Sequence, residues 1–287
     1  MPNNFLLGCA AVALTLGAPL AAHAAVFDVK AFGAKADGKT LDRVAINKAI
    51  DAAVAAGGGT VFFPAGTYLT GSIRLRSNLT MRDVANSPIF LRLGSRLRAP
   101  EGTTIGSLRR VSISNVVVYD ADPRFGSIIT GIPGHDVEDI KLSNIRIVYR
   151  GGLTLEHAAR QPAEMASTFF AAPRRGSPVP AREPFDVPEQ EKLYPEPAMF
   201  GVLPAYGFFI RHAKGIELNN VEVGFMQEDR RPAFVLDDVS GADFQHVKAQ
   251  KATGIPTIVL RKVEDFTARA CTPLPDTKIP QVDRREM

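Results

Sequence analysis

Ile128-Ile129-Thr130-Gly131-Ile132, followed by Ile140-Lys141-Leu142-Ser143-Asn144-Ile145, is a two-strand unit that the chain repeats. It stands earlier as Ile89-Phe90-Leu91-Arg92-Leu93 with Val111-Ser112-Ile113-Ser114-Asn115-Val116. It returns as Gly207-Phe208-Phe209-Ile210 with Ile216-Glu217-Leu218-Asn219-Asn220-Val221. Two worn copies follow, Ala233-Phe234-Val235-Leu236 with Ala242-Asp243-Phe244-Gln245-His246-Val247, and Thr257-Ile258-Val259-Leu260 with Asp265-Phe266-Thr267-Ala268. The second strand of each unit alternates apolar and polar with period 2, a strand's period and not a helix's 3.6. Units spaced by roughly 25–40 residues, none able to bury its apolar face alone, define a repeat architecture. There is no WD-type signature and no leucine-rich consensus. The all-β reading that fits best is a right-handed single-stranded parallel β-helix, its coils paired about 4.8 Å apart. Asn115, Asn144 and Asn220 hold one place in three units. Stacked, their amides hydrogen-bond along a ladder; read singly, they are turn asparagines chosen for local geometry.

The composition, 45% hydrophobic and 22% charged over 287 residues, is that of a soluble globular chain with length for one large solenoid or two small domains. Trp is absent, which removes the Trp platform on which a sugar ring often stacks. A formal charge of +4 is compatible with an acidic polymer as partner. No basic run or nucleic-acid motif is present, which sets DNA and RNA aside. Residues 1–24 read as a signal peptide: Phe5 to Leu20 is apolar, and Ala22-His23-Ala24 has the small-x-small form of a cleavage site. The apolar run is short for a bilayer span, so no membrane anchor is expected and the product is periplasmic or secreted. With Cys9 in that segment, Cys271 stands alone and no internal disulfide is available.

The mature chain, 25–287, reads as one domain. Val26-Phe27-Asp28-Val29 is a first strand, and Thr40 is the expected N-cap of a helix running to about Ala56. Val44, Ile46, Ala49, Ile50, Ala53 and Val54 give that helix an apolar stripe, and Gly57-Gly58-Gly59 ends it. Such a helix, in a cap and first coil spanning 25–80, would cover the open end of the stack. Coils follow at 81–150 and 206–270. Between them, 151–205 is crowded with proline and sustains no period, so it reads as a long loop excursion able to wall a groove. The tail from Thr272 to Met287 reads as loose.

Phe32-Gly33-Ala34, Asp37-Gly38, Ala45-Ile46, Ala49-Ile50, Gly58-Gly59-Thr60-Val61 and Phe63-Pro64-Ala65-Gly66-Thr67-Tyr68 resemble the N-terminal segment of pectate-lyase-like β-helix enzymes, most of all glycoside hydrolase family 28, the polygalacturonases and their relatives. Asn86-Ser87-Pro88-Ile89-Phe90-Leu91-Arg92-Leu93-Gly94, Gly131-Ile132-Pro133-Gly134-His135, Tyr194-Pro195-Glu196-Pro197 and Phe234-Val235-Leu236-Asp237-Asp238 are similar to the C-terminal coils of bacterial members. The resemblance implies hydrolysis of galacturonan by a pair of Asp side chains. It also implies an acidic plant polysaccharide, pectin or polygalacturonate, as partner of a monomeric protein. The family's Asn-Thr-Asp, Asp-Asp, Gly-His-Gly and Arg-Ile-Lys motifs are not found in the expected context. The chain passes from Ser77-Asn78-Leu79-Thr80 straight to Met81-Arg82-Asp83-Val84, as if the middle coils of a longer member were missing.

Inverting hydrolysis needs two carboxyl groups about 6.5–9.5 Å apart. Asp237-Asp238 is the one adjacent pair after a strand, and neighbours on a strand face opposite ways, so no catalytic residue is assigned. Arg92 and Arg96, in a strip with Arg98, Arg109 and Arg110, are candidate contacts to a polyuronate, because guanidinium pairs bidentately with carboxylate. The alternative is a row of solvated arginines. His135, Tyr206, Arg211 and His212 are further candidate sugar contacts, with turn and surface roles as their alternatives. The His residues do not pair at ligand spacing, so neither a metal site nor a cofactor is expected. Two readings stay open: a pectic hydrolase without its usual carboxylates, and a non-catalytic carbohydrate-binding or remnant β-helix.

Overall fold

The computed structural model describes residues 25–57, 59–64, 67–69, 79–82, 86–95, 102, 104–162, 165 and 180–287. The expected signal segment and candidate Arg96 lie outside them. In chain order the elements are β1 (Val26–Asp28), β2 (Asp37–Leu41), α1 (Arg43–Ala55), β3 (Gly59–Phe62), β4 (Thr67–Leu69), β5 (Leu79–Arg82), β6 (Phe90–Arg92) and β7 (Leu108–Ala121). Then come β8 (Ser127–Thr130), β9 (Val137–Gly151), α2 (Leu155–Ala159), β10 (Phe208–Gln227), β11 (Phe234–Gln245), β12 (Lys248–Ala249), β13 (Ile258–Arg269) and β14 (Thr277–Glu286).

The chain is mostly strand, and its main sheet runs β1-β3-β5-β7-β9-β10-β11-β13-β14. From β1 to β13 every neighbouring pair is parallel. Parallel neighbours need a crossover connection between them. β5 lies between β3 and β7 and pairs with both.

The long strands hold both halves of a sequence unit. β10 carries Phe208–Ile210 and Ile216–Val221 without a break. Single residues at positive φ bend these strands, and they fall in columns. His212, Asp238 and Lys262 form one, at φ 47°, 58° and 49°. Asn115, Asn144 and Asn220 form another, at 58°, 54° and 53°, and His246 and Ala270 continue it. Asn144 Nδ2 donates to Asn115 Oδ1 (3.0 Å), and Asn220 Nδ2 to Asn144 Oδ1 (2.9 Å). Both sequence readings of these asparagines hold together: they suit the left-handed turn, and they form the ladder.

Inward columns such as Ile113–Leu142–Leu218–Phe244–Ala268 build the main core. The Phe208 and Phe234 rings stack with centroids 5.9 Å apart, and Phe234, Phe244 and Phe266 continue edge to face. At the N-terminal end α1 buries Ala45, Ile46, Ala49, Ile50 and Ala53 against Val29 and Val61. Its start corrects the expectation at Thr40, which lies in β2 and gives its hydroxyl to Asp37 (2.8 Å). The residue before the helix is Asp42, whose buried carboxylate accepts from the Lys35 and Ala36 N–H groups (2.6 and 3.0 Å).

The tail is a second correction. Residues 277–286 are not loose but form β14, antiparallel on β13. Met287 and Ile258 exchange both backbone hydrogen bonds (3.0 and 2.9 Å). An antiparallel strand stops the parallel winding, and Pro280 with the charges of Asp283, Arg284 and Arg285 suits it to be a final edge.

The described end of the excursion is packed. Phe90, Ile128, Phe209, Val235 and Val259 form a column on the outer face of β6, β8, β10, β11 and β13. Residues 180–205, here called the strap, cover it with Val187, Met199, Phe200, Leu203 and Ala205. Among the described residues no helix is long and apolar enough to cross a membrane.

Candidate functional site

Next to that apolar column, the register aligns Arg92, Thr130, Arg211, Asp237 and Arg261 on successive strands. All follow an apolar pair: Phe90-Leu91, Ile128-Ile129, Phe209-Ile210, Val235-Leu236, Val259-Leu260. The column meets the strap. Arg92 donates to the Gly131 and Glu189 carbonyls (both 2.6 Å). Arg211 donates to the carbonyls of Val187 (2.6 Å) and Pro188 (3.1 Å), and its Nη1 lies 2.9 Å from the Glu189 carboxylate. Arg261 donates to the Phe185 carbonyl and to Asp186 Oδ1 (2.9 Å), with Asp237 3.4 Å away.

His212 sits one residue further on. Its Nε2 is 3.1 Å from Glu189 on the strap and its Nδ1 2.6 Å from Asp238 on the next coil. Carboxylates on both sides make both ring nitrogens donors, a state that only the imidazolium supplies. Burial opposes that charge, but the bonds from Glu189 and Asp238 outweigh it and hold the His212 pKa above 6.5. Burial also pushes Glu189 up, yet the His212 bond and the Arg211 charge hold it below the usual carboxylate range. Burial, with the Arg211 charge, brings Arg92 down to about 10. Burial pushes Asp237 up against the pull of Arg261 and Arg211.

Asp136, His212 and Asp238 bring ligand atoms within 4.8 Å of one another. This corrects the expectation that no group of ligating residues assembles: the three come from different circuits, so spacing along the chain cannot show them. They are the residues that could hold a metal, but both ring nitrogens of His212 already face carboxylates. Asp136 and Asp238 also line a cleft of about 200 Å³ with Glu264, Asp283 and Lys262. Four acids against one lysine give it a negative field. Asp237 pairs with Arg261 and Asp238 with His212; Asp238 stands at φ 58°, so strand alternation does not set its direction.

Of the candidate sugar contacts, Tyr206 is corrected outright. It is 0% exposed, and its hydroxyl donates to the Gln250 carbonyl inside the core. Arg211, 3% exposed, is turned under the strap, and Arg92 is half-buried there; neither faces open solvent. His212 is spent on the two carboxylates. His135 is exposed in a turn that Ile132 closes by two backbone bonds. Arg109 and Arg110 are exposed near the start of β7, and Arg98 lies outside the described residues. Reading single arginines missed Arg261, Asp186 and Glu189; superposing the units on their apolar pairs brings out the arginine column.

Residues 26–87, which hold β1 to β5 and α1, match the family model "Rhamnogalacturonase A/epimerase, pectate lyase-like". The chain therefore carries a pectate-lyase-like N-terminal segment. Over 44 residues it is 66% identical to mannuronan C5-epimerase AlgE1 of Azotobacter vinelandii, a match spanning 15% of this chain and 3% of that protein. Over 42 residues it is 64% identical to alginate lyase 7 of the same organism, spanning 15% and 5%. The matches thus take in a small fraction of these curated relatives. Among solved structures, the family 28 exopolygalacturonase of Yersinia enterocolitica is 19% identical, with 87% of this chain and 43% of that chain covered, at a TM-score of 0.26.

Proposed function

We propose that the chain is an exported, monomeric, right-handed parallel β-helix, one domain over 25–287, that binds an acidic polysaccharide of the polygalacturonate kind and does not hydrolyse it. The observation that carries this reading is the pectate-lyase-like match over 26–87, a segment whose β1, β3 and β5 lie in the same parallel sheet as the repeats. The curated relatives are named for mannuronan and for alginate, both polymers of acidic sugars.

Binding is preferred to hydrolysis for two reasons. Single displacement needs carboxyl groups about 6.5–9.5 Å apart to admit a water. Asp136 and Asp238 converge more closely than that, with His212 among them. The cleft they line is acidic and repels a polyuronate.

The test incubates the mature chain with polygalacturonate and with alginate. Retardation in polysaccharide-loaded gels is measured beside reducing ends and the ultraviolet absorbance of unsaturated uronates. Retardation without products is expected. New reducing ends without unsaturation would restore the family 28 hydrolase reading; unsaturated ends would make the protein a lyase. Neither retardation nor product would end the polyuronide reading.

A further inference from the structure

We propose that the strap segment 185–191 is an internal occupant of a polyanion track built from Arg92, Arg211 and Arg261, and that an acidic polysaccharide chain displaces it. The inference deepens the binding reading above and rests on it.

The three guanidinium groups recur on every second strand of one column. At about 4.8 Å per coil they stand about 9.6 Å apart along the stack. Strap acids meet them. Asp186 pairs with Arg261 at 2.9 Å and Glu189 with Arg211 at 2.9 Å, and the Glu191 charge acts on Arg92. The carbonyls of Phe185, Val187, Pro188 and Glu189 accept further bonds from the same three side chains. This is the chemistry a polyuronate offers: carboxylates at a regular interval, with neutral oxygen acceptors between them. Guanidinium recognises such carboxylates bidentately.

The strap fits the track imperfectly. Arg211 is 3% exposed, yet its Nε has no hydrogen-bond partner, and neither does the buried Glu189 Oε2. Unmade bonds of this kind cost free energy in the closed state. A carboxylate laid along the fork of Arg211 would take Nε together with a terminal nitrogen. Access exists at the far end, where Asp186 is 59% exposed and Arg261 25%. Pro184 and Pro188 keep the segment out of the sheet ladder. Val187 and Phe185 would leave the apolar column when 185–191 lifts, while Met199, Phe200 and Leu203 stay and keep part of it covered.

Polygalacturonate binding is compared for the wild type, for Asp186→Asn with Glu189→Gln, and for that pair with Arg261→Gln added. Without its acids the strap competes less well, and the double variant is expected to bind about tenfold more tightly, with the gain lost on adding Arg261→Gln. In the wild type, hydrogen exchange of amides 185–191 is expected to speed up when the polysaccharide is bound. This second measurement decides even if a variant misfolds, because unchanged exchange with polysaccharide bound overturns the proposal. Equal affinity of wild type and a folded double variant also overturns it while leaving the binding reading intact. No binding by either overturns both.

Discussion

Replacing Arg231 with Met tests the physics that holds the circuits together. Arg231 and Asp229 are both 0% exposed. The guanidinium reaches Asp229 through Nε (2.9 Å) and Nη2 (2.8 Å). It also donates to the carbonyls of Leu203 (3.0 Å) and Pro123 (2.7 Å). Asp229 in turn accepts from the Leu153 and Arg231 N–H groups (3.3 and 3.2 Å). One ion pair thus ties the run before β8, the end of the strap and the crossover after β10.

Arg231→Met leaves Asp229 buried with two backbone donors and strips two carbonyls of theirs. Removing one partner of a buried pair costs about 3–5 kcal/mol, and each orphaned carbonyl about 1–3 kcal/mol. The two penalties share the same atoms and do not add, so the expected loss is about 4 kcal/mol. For a chain of this length, at about 2 °C per kcal/mol, Tm should fall by about 8 °C. Urea and thermal melts followed by circular dichroism measure it. Adding Asp229→Leu removes the stranded charge and should recover most of the loss. A single variant that loses less than about 1 kcal/mol would refute the reasoning, as would a double variant as unstable as the single.

Three further perturbations probe other parts of the stack. His212 has a folded pKa above its unfolded value, so its contribution is full below about pH 6.5 and fades as pH rises through the folded pKa. The stability difference between wild type and His212→Gln should therefore shrink over that rise; a difference that is constant or grows counts against the Glu189–His212–Asp238 clasp. Asn144→Ala breaks two ladder bonds and puts Ala at φ 54°, which should cost about 1–2 kcal/mol in a urea melt, with Gly restoring the backbone share; no loss would remove the ladder's energetic role. Deleting residues 277–287 bares the β13 edge over Val263 and Phe266, and size-exclusion chromatography should show aggregates; a monomer with an unchanged cooperative melt would show that β14 is dispensable.

What could be read from the chain follows from how far apart the deciding groups lie. Alternation and the recurring Asn are local to a unit, so the strands of 108–121, 137–151 and 208–227 and the column of Asn115, Asn144 and Asn220 are legible one unit at a time. β14 is not, because Thr277–Glu286 has few apolar residues and a Pro; its strand state comes from the bonds β13 offers it. The strap fails for the opposite reason. Its prolines correctly mark a segment outside the ladder, but only the outward column of Phe90, Ile128, Phe209, Val235 and Val259 shows where it lands.

The same limit governs the site. His212 and Asp238 are 26 residues apart, one circuit, and Glu189 reaches them from an excursion of the chain. In a parallel sheet held in register a side chain's neighbours lie on the adjacent strands, so charge chemistry runs along columns and not along the sequence. Arg92, Arg211 and Arg261 each look like a lone solvated arginine until their units are superposed on the apolar pairs before them. Superposed, they form a file of cations at alternate coils, and the segment lying on that file carries Asp186, Glu189 and Glu191. A single arginine met by a single acid would be an ordinary surface pair worth little. A repeating file met by a run of acids follows from the register of the parallel sheet, and that match is why a periodic acidic polymer is the partner proposed.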